Sequence, residues 1–292
     1  MKKYEVEKIR NVGLFGHGSD GKTLLADAIL FDTKMNNRMG RVDDGSSLLD
    51  YEPEEIDRQI SISATTAYYE WDKHRVVVVD TPGDANFIYD ARACMQVVEG
   101  GIIVIGANSG VKVQTEAVWG EANTLHLPRI IFISKMDVDR ARFAETVNDI
   151  RENLDELQPL PLQIPIGQEK DFKGVIDLLA NKAYLYEGDG SGKYREEAVP
   201  AELAGEAEQQ RVKTVETLVE MEDDLMEKYL EGGELSLEDL HRCLKKGMAA
   251  GTFAPVVCGS SDRNIGIQPL LNLINICLPS PGEVGPKTGK NP

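Results

Sequence analysis

The stretch Gly16-His17-Gly18-Ser19-Asp20-Gly21-Lys22-Thr23 constrains this chain most, because it is a G-x-x-x-x-G-K-[ST] phosphate-binding loop. The apolar run Val12-Gly13-Leu14-Phe15 precedes it, and residues 23–30 follow with helical spacing, so the loop lies between a strand and a helix. In that setting the glycines let the backbone curl with its N–H groups inward, and the helix N-terminus adds positive potential. Lys22 then reaches the β- and γ-phosphates, and the Thr23 hydroxyl is placed to ligate Mg²⁺. A glycine-rich turn that merely exposes a lysine would not need the whole pattern.

A second signal lies at the end of the β-rich run His74-Arg75-Val76-Val77-Val78-Val79. With residues 60–69 and the connector Trp71-Asp72-Lys73 it reads as a hairpin. It runs into Asp80-Thr81-Pro82-Gly83, an acid at the C-terminal end of a buried strand, where α/β sheets bind ligands. Asp80 is placed to hold the shell around Mg²⁺, and the Gly83 N–H is placed to sense a γ-phosphate oxygen. Between the two motifs, residues 33–58 are polar and lack periodicity, which predicts a mobile loop that orders as a switch.

Strand Gly101-Ile102-Ile103-Val104-Ile105, a helix over 115–126, strand Arg129-Ile130-Ile131-Phe132-Ile133 and a helix over 142–157 then alternate, which predicts a mainly parallel sheet covered by helices. The last strand runs into Ser134-Lys135-Met136-Asp137. A carboxylate at Asp137 can accept from guanine N1–H and N2–H₂ together, and the stem of Lys135 can cover the base; adenine offers no such donor pair. Near the end, Ala254-Pro255-Val256-Val257-Cys258 leads to Gly259-Ser260-Ser261, whose N–H groups can meet guanine O6.

Residues 159–251 interrupt this alternation and read as an insert. It holds short strands at 162–166, 174–179 and 182–186, a Gly/Ser turn at 188–192 and one long acidic helix over 200–230. Residues 278–292 read as a linker. The expected organisation is therefore a first part of the phosphate-loop domain over 1–158, the insert over 159–251, that domain's last strand and helix over 252–280 and a linker over 281–292.

Composition limits the partners. A formal net charge of −17 excludes a broad basic surface for nucleic acid, so any RNA contact must be local. The four cysteines show no C-x-x-C pair and read as reduced, buried thiols. The N-terminus lacks an apolar signal core and no run is long enough to span a membrane, so a cytoplasmic location is expected.

Taken in order, G-H-x-x-x-G-K-T, R-x-I-S-I, D-T-P-G, S-K-M-D and C-G-S-S resemble the GTP-binding domain of translational GTPases, elongation factor G and its paralogues in particular. Pro165-Ile166-Gly167 and Gly174-Val175-Ile176-Asp177 resemble that family's insert. The resemblance implies a doubly wound α/β P-loop GTPase fold with an α/β insert. It implies GTP and GDP as substrate and product with Mg²⁺, and a monomer acting on the ribosome. Large-subunit RNA would meet the GTPase face, and a stalk protein would meet the insert. It also implies that Ser61, in place of the family's Thr, supplies the switch hydroxyl to the metal. Lys22, Gly83 and the residue at 84 would carry hydrolysis.

Three departures qualify this expectation. Ser134 replaces the family's Asn and loses an amide that braces the base loops, while Ser19 and Asp20 alter the phosphate loop, where Asp20 should point away or cap the helix. Asp84 replaces the His that orients the attacking water. A carboxylate about 5 Å from γ-phosphate charge costs roughly 3 kcal/mol at an effective dielectric of about 20, on the order of a hundredfold in rate. Arg58 is the expected ionic partner that would relieve it. Two other readings are a GTP-dependent ribosome-binding module with little turnover and an ATP-dependent P-loop kinase; Asp137 and the lack of an Arg-rich lid oppose the latter.

Overall fold

A computed structural model describes residues 3–286. In chain order its first half holds β1 (Ile9–Phe15), α1 (Lys22–Asp32), α2 (Pro53–Arg58), β2 (Thr65–Trp71), β3 (His74–Asp80), α3 (Ile88–Met95), β4 (Gly100–Gly106), α4 (Val113–Thr124), β5 (Arg129–Ser134) and α5 (Phe143–Asn153). Then follow β6 (Gln158–Pro161), β7 (Gln163–Ile166), β8 (Gly174–Asp177), β9 (Lys182–Tyr186), β10 (Tyr194–Glu197), α6 (Ala204–Val219), α7 (Asp223–Leu230) and α8 (Leu237–Ala249). The last elements are β11 (Phe253–Cys258), α9 (Ile267–Cys277) and α10 (Pro281–Val284).

Seven strands form the central sheet in the order β2-β3-β1-β4-β5-β11-β6. Every neighbouring pair is parallel except the β2–β3 hairpin. Parallel strands with both faces covered need apolar residues throughout, and β4, β5 and β11 are buried along their whole length. At the edge, β2 alternates between half-buried and exposed positions instead, with Tyr69 buried. The hairpin turns at Asp72 and Lys73, whose φ values of 40° and 62° suit a two-residue turn between twisted strands. The parallel arrangement brings the C-terminal ends of β1, β3, β5 and β11 to one edge, and each carries a motif of the candidate site.

The mainly parallel α/β sheet agrees with the expected fold class, and a second, antiparallel sheet ordered β10-β9-β8-β7 belongs to the insert. The insert is joined to the GTPase core through apolar packing. Val215, Leu218 and Leu244 share one core with Leu25 and Ile29, while Val175 and Ile176 share the other with Phe15 and Ile103. The central sheet also continues past residue 158, since β6 pairs with β11 as an edge strand; prolines at 159 and 161 are tolerated at such an edge.

Several local expectations change. The long helix over 200–230 is two helices, broken at Glu220–Glu222, because Asp223 and Asp224 favour the N-terminus of α7 while Leu218, Val219 and Leu225 turn inward. Residues 60–64 are not strand, since Glu55 holds the amides of Ile62 and Ser63. The loop over 33–58 ends in α2, which Pro53 starts, and buries Leu49 and Asp50. Within the expected linker, α10 is tied to α8 by a Lys245–Glu283 ion pair; residues 287–292 lie outside the described ones. All four cysteines are free, and Cys243, Cys258 and Cys277 are buried while Cys94 is half-buried. Among the described residues, no helix is long and apolar enough to cross a membrane.

Candidate nucleotide site

The phosphate loop folds as its glycines require. Gly16 has φ 142°, and a Cβ there would meet the Val104 carbonyl oxygen at 2.4 Å. Gly21 has φ 90° and opens α1. Lys22 follows in the first turn, buried, with Nζ donating to the carbonyls of His17 at 2.9 Å and Gly16 at 3.2 Å. Burial lowers its pKa, and the nearby carboxylates of Asp80, Asp20 and Asp50 oppose that.

Gly83 closes over this loop. The Gly18 N–H donates to the Gly83 carbonyl at 2.8 Å, so the carbonyl faces the loop where a sensing N–H was expected. A Cβ on Gly83 would lie 2.3 Å from Lys22 Nζ and 2.5 Å from the Gly18 nitrogen, which leaves no room for a side chain. Thr81 anchors the base of the turn through a 2.6 Å bond from its hydroxyl to the Leu14 carbonyl. Asp84 lines the cleft and caps the following turn, with Oδ1 accepting from Asn86 N at 2.9 Å and Asn86 Nδ2 at 2.7 Å. The expected Arg58–Asp84 pair is absent: Arg58 is exposed at the end of α2 and pairs with Glu54, one turn earlier, at 3.1 Å.

One corner has the donor set of a hard cation. The hydroxyls of Thr23 and Ser61 lie 3.0 Å apart. That spacing is close to the edge of an octahedron with ligands at about 2.1 Å, as Mg²⁺ demands. Beside them, Asp80 Oδ1 and Asp50 Oδ2 are buried without hydrogen-bond partners among the described residues. Burial pushes the Asp80 pKa up to about 7 and that of Asp50 up to about 6. Orphaned carboxylate oxygens next to paired hydroxyls fit Mg²⁺, and Asp50 is a member the sequence reading missed. Glu55 sets this corner from behind: its carboxylate accepts from the amides of Glu52, Ile62 and Ser63 and so fixes the chain around Ser61.

At the end opposite the phosphate loop's lysine, Lys135 lines the cleft with φ 58°, and Asp137 follows in the same turn, half-buried and not among the lining residues. Met136 is fully buried in the core, and its N–H donates to the Gly259 carbonyl at 3.2 Å, joining the two base loops. Ser260 and Ser261 are buried, and the Ser261 hydroxyl has no hydrogen-bond partner among the described residues. The bracing expected to be lost at Ser134 is present in another form: its hydroxyl donates to the Asp20 carbonyl at 2.6 Å. Arg41 and Asp262 close this end by an ion pair of 2.6 Å between the switch loop and the turn after β11.

His17, Gly18, Ser19, Gly21, Lys22, Thr23, Ser61, Gly83, Asp84 and Lys135 therefore line one cleft of about 600 Å³. Arg41, Asp43, Asp50, Gln59, Gln114 and Asp262 line it as well and were not foreseen. Gly16, Asp20, Asp80, Thr81, Pro82, Ser134, Met136, Asp137, Ser260 and Ser261 do not line it.

A phosphate loop, two switch segments and a K-x-D turn gathered at one edge of a parallel sheet define a P-loop GTPase. Residues 7–280 match the family described as the elongation factor Tu GTP binding domain. The chain belongs to that family and is a translational GTPase domain. It is similar to a solved structure from Thermus thermophilus, with 34% identity and a TM-score of 0.88 over 95% of this chain. The match covers 41% of the Thermus chain, so this sequence spans about two-fifths of that protein's length.

Proposed function

We propose that this chain binds GTP and GDP with Mg²⁺ and hydrolyses GTP slowly in an elongation-factor-G-like role on the ribosome. The observation that carries this reading is the convergence of Lys22, Gly83, the Thr23–Ser61 hydroxyl pair and Lys135 on one cleft. Lys22 and the inward N–H groups compensate phosphate charge, and occupancy would release Lys22 from the Gly16 and His17 carbonyls. Thr23 and Ser61 would hold Mg²⁺, with Asp80 and Asp50 in its surroundings. The ion supplies further charge compensation for the phosphates.

Asp137 reads guanine through its donor pair, and the stem of Lys135 covers the base. A γ-phosphate would compete with the Gly18–Gly83 bond, so GTP and GDP would favour different arrangements of the turn at Gly83. Large-subunit RNA would meet the face that carries the cleft, and a stalk protein would meet the insert.

A second reading, a GTP-dependent ribosome-binding module with little hydrolysis, is favoured by one feature. The Asp84 carboxylate is fixed by Asn86 at the cleft, where the family's His would orient water.

Calorimetric titration with Mg·GDP, Mg·GTP and Mg·ATP tests the nucleotide assignment. Guanine nucleotides should bind, ATP should not compete, and Lys22→Ala should abolish binding. Asp137→Asn should move preference toward xanthine nucleotides, since an amide can donate where the carboxylate only accepts. Unchanged affinity in Lys22→Ala would remove the phosphate-loop reading. Pelleting with ribosomes only when a non-hydrolysable GTP analogue is present supports the ribosomal role, and nucleotide-independent or absent pelleting contradicts it.

A further inference from the structure

Asp20 places a carboxylate inside a loop that must attract a polyanion. The side chain is 1% exposed and turns away from the cleft toward the C-terminal end of β4, where a Cβ on Gly106 would lie 3.3 Å from its Oδ1. There Lys112, the residue that precedes α4, donates to Oδ1 at 3.1 Å. The other oxygen, Oδ2, is buried with no hydrogen-bond partner among the described residues. From the opposite side, Ser134 holds the Asp20 backbone carbonyl. The phosphate loop is thus clamped at Asp20 from α4 and from β5, and neither Asp20 nor Lys112 lines the cleft.

We propose that Lys112 is a positioning residue for nucleotide binding: by neutralising Asp20 behind the phosphate loop, it keeps that loop curled for phosphate and its field positive. The two basic side chains of the loop itself act on Asp20 only from a distance and make no hydrogen bond to it among the described residues. Lys22 is committed to the carbonyls of Gly16 and His17. His17 Nδ1 is buried without a hydrogen-bond partner among the described residues, and burial lowers that imidazole's pKa, which weakens it as a cation.

Burial already raises the Asp20 pKa, and Lys112 is the main group opposing that. Without Lys112 the carboxylate can take up a proton, stay buried with its charge uncompensated, which is costly, or rotate out toward the phosphates and repel them. Each outcome removes the ion pair that fixes the segment between Ser19 and Gly21, both of which line the cleft.

The inference rests on the reading of the cleft as a guanine-nucleotide site. Calorimetry of Mg·GDP binding to the whole chain tests both, with ligand-free melting temperatures recorded alongside. Lys112→Met should bind GDP at least roughly ten-fold more weakly. Lys112→Arg should retain most of the affinity, and Asp20→Asn/Lys112→Met should recover most of what Lys112→Met loses, because the uncompensated charge has gone. Lys112→Met within twofold of the wild chain, or a double variant as weak as the single one, overturns the assignment. A lower melting temperature at unchanged affinity also overturns it, since that is a purely structural role. Should Lys112→Met fail to fold, Lys112→Gln is read in the same way. A wild chain that binds no GDP refutes the nucleotide reading instead.

Discussion

The hydroxyl of Ser134 donates to the backbone carbonyl of Asp20 at 2.6 Å, so the end of β5 is fastened to the phosphate loop by a single buried bond. The strand end that runs into Lys135 and Asp137 is therefore linked to the phosphate loop through the Ser134 side chain.

Ser134→Ala leaves that carbonyl without its donor in a buried place. The expected effect is a roughly three- to ten-fold weaker GDP affinity, from a loss of about 1 kcal/mol. Ser134→Asn, whose amide can reach the same acceptor, should bind at least as tightly as the wild chain. Titration calorimetry of the three proteins decides; equal affinities for all would mean that the two loops are held by other contacts.

The second prediction concerns the Arg41–Asp262 pair across the base end of the cleft. Both side chains are about half exposed, at 47% and 48%, so the pair adds little to affinity. It spans the cleft, however, between a loop closed by bonds from the Ser46 and Ser47 amides to the Arg41 carbonyl and a turn closed by Ser260 and Ile265. Asp262→Asn should speed release of a fluorescent GDP roughly two- to five-fold, and added salt should speed release from the wild chain more than from the variant. Stopped-flow rates that are equal in both, at low and high salt, would show that the pair does not govern exit.

What the sequence made legible was local. The phosphate loop, D-T-P-G and S-K-M-D lie in contiguous stretches next to strands, so pattern and chemistry coincide. Lys112 with Asp20, Arg41 with Asp262 and Glu55 with the amides of Ile62 and Ser63 were not legible, because each role depends on a partner that only the fold brings near. Ser134 lacks the amide expected to brace the base loops, yet the phosphate loop comes close enough for its hydroxyl to make a bond of its own. The break between α6 and α7 was missed because an acidic run on a helix face and an acidic helix start look alike in sequence.

A third prediction follows from Asp32, at the end of α1. It accepts from Asn264 Nδ2 at 2.7 Å and Gln268 Nε2 at 2.5 Å, and so ties α1 to α9. Burial outweighs those bonds and pushes its pKa up to about 6. The folded chain then holds this proton between roughly pH 4 and 6 while the unfolded chain releases it, so this contribution to stability falls as pH rises through that window. The change is at most roughly 3 kcal/mol. Urea midpoints measured from pH 4 to 7 should decline more steeply for the wild chain than for Asp32→Asn; parallel profiles would contradict the assignment.

The measurement that tests the account most directly is single-turnover phosphate release from GTP in the presence of ribosomes, for the wild chain and for Asp84→His. The wild chain should be slow, since its carboxylate is held at the cleft by Asn86 and Arg58 pairs elsewhere. The imidazole should raise the rate by up to about a hundredfold with little change in GTP affinity. A wild-type rate already near about 10 s⁻¹, the typical enzyme value, or a variant slower than the wild chain, would show that Asp84 is a competent substitute and that the charge argument fails.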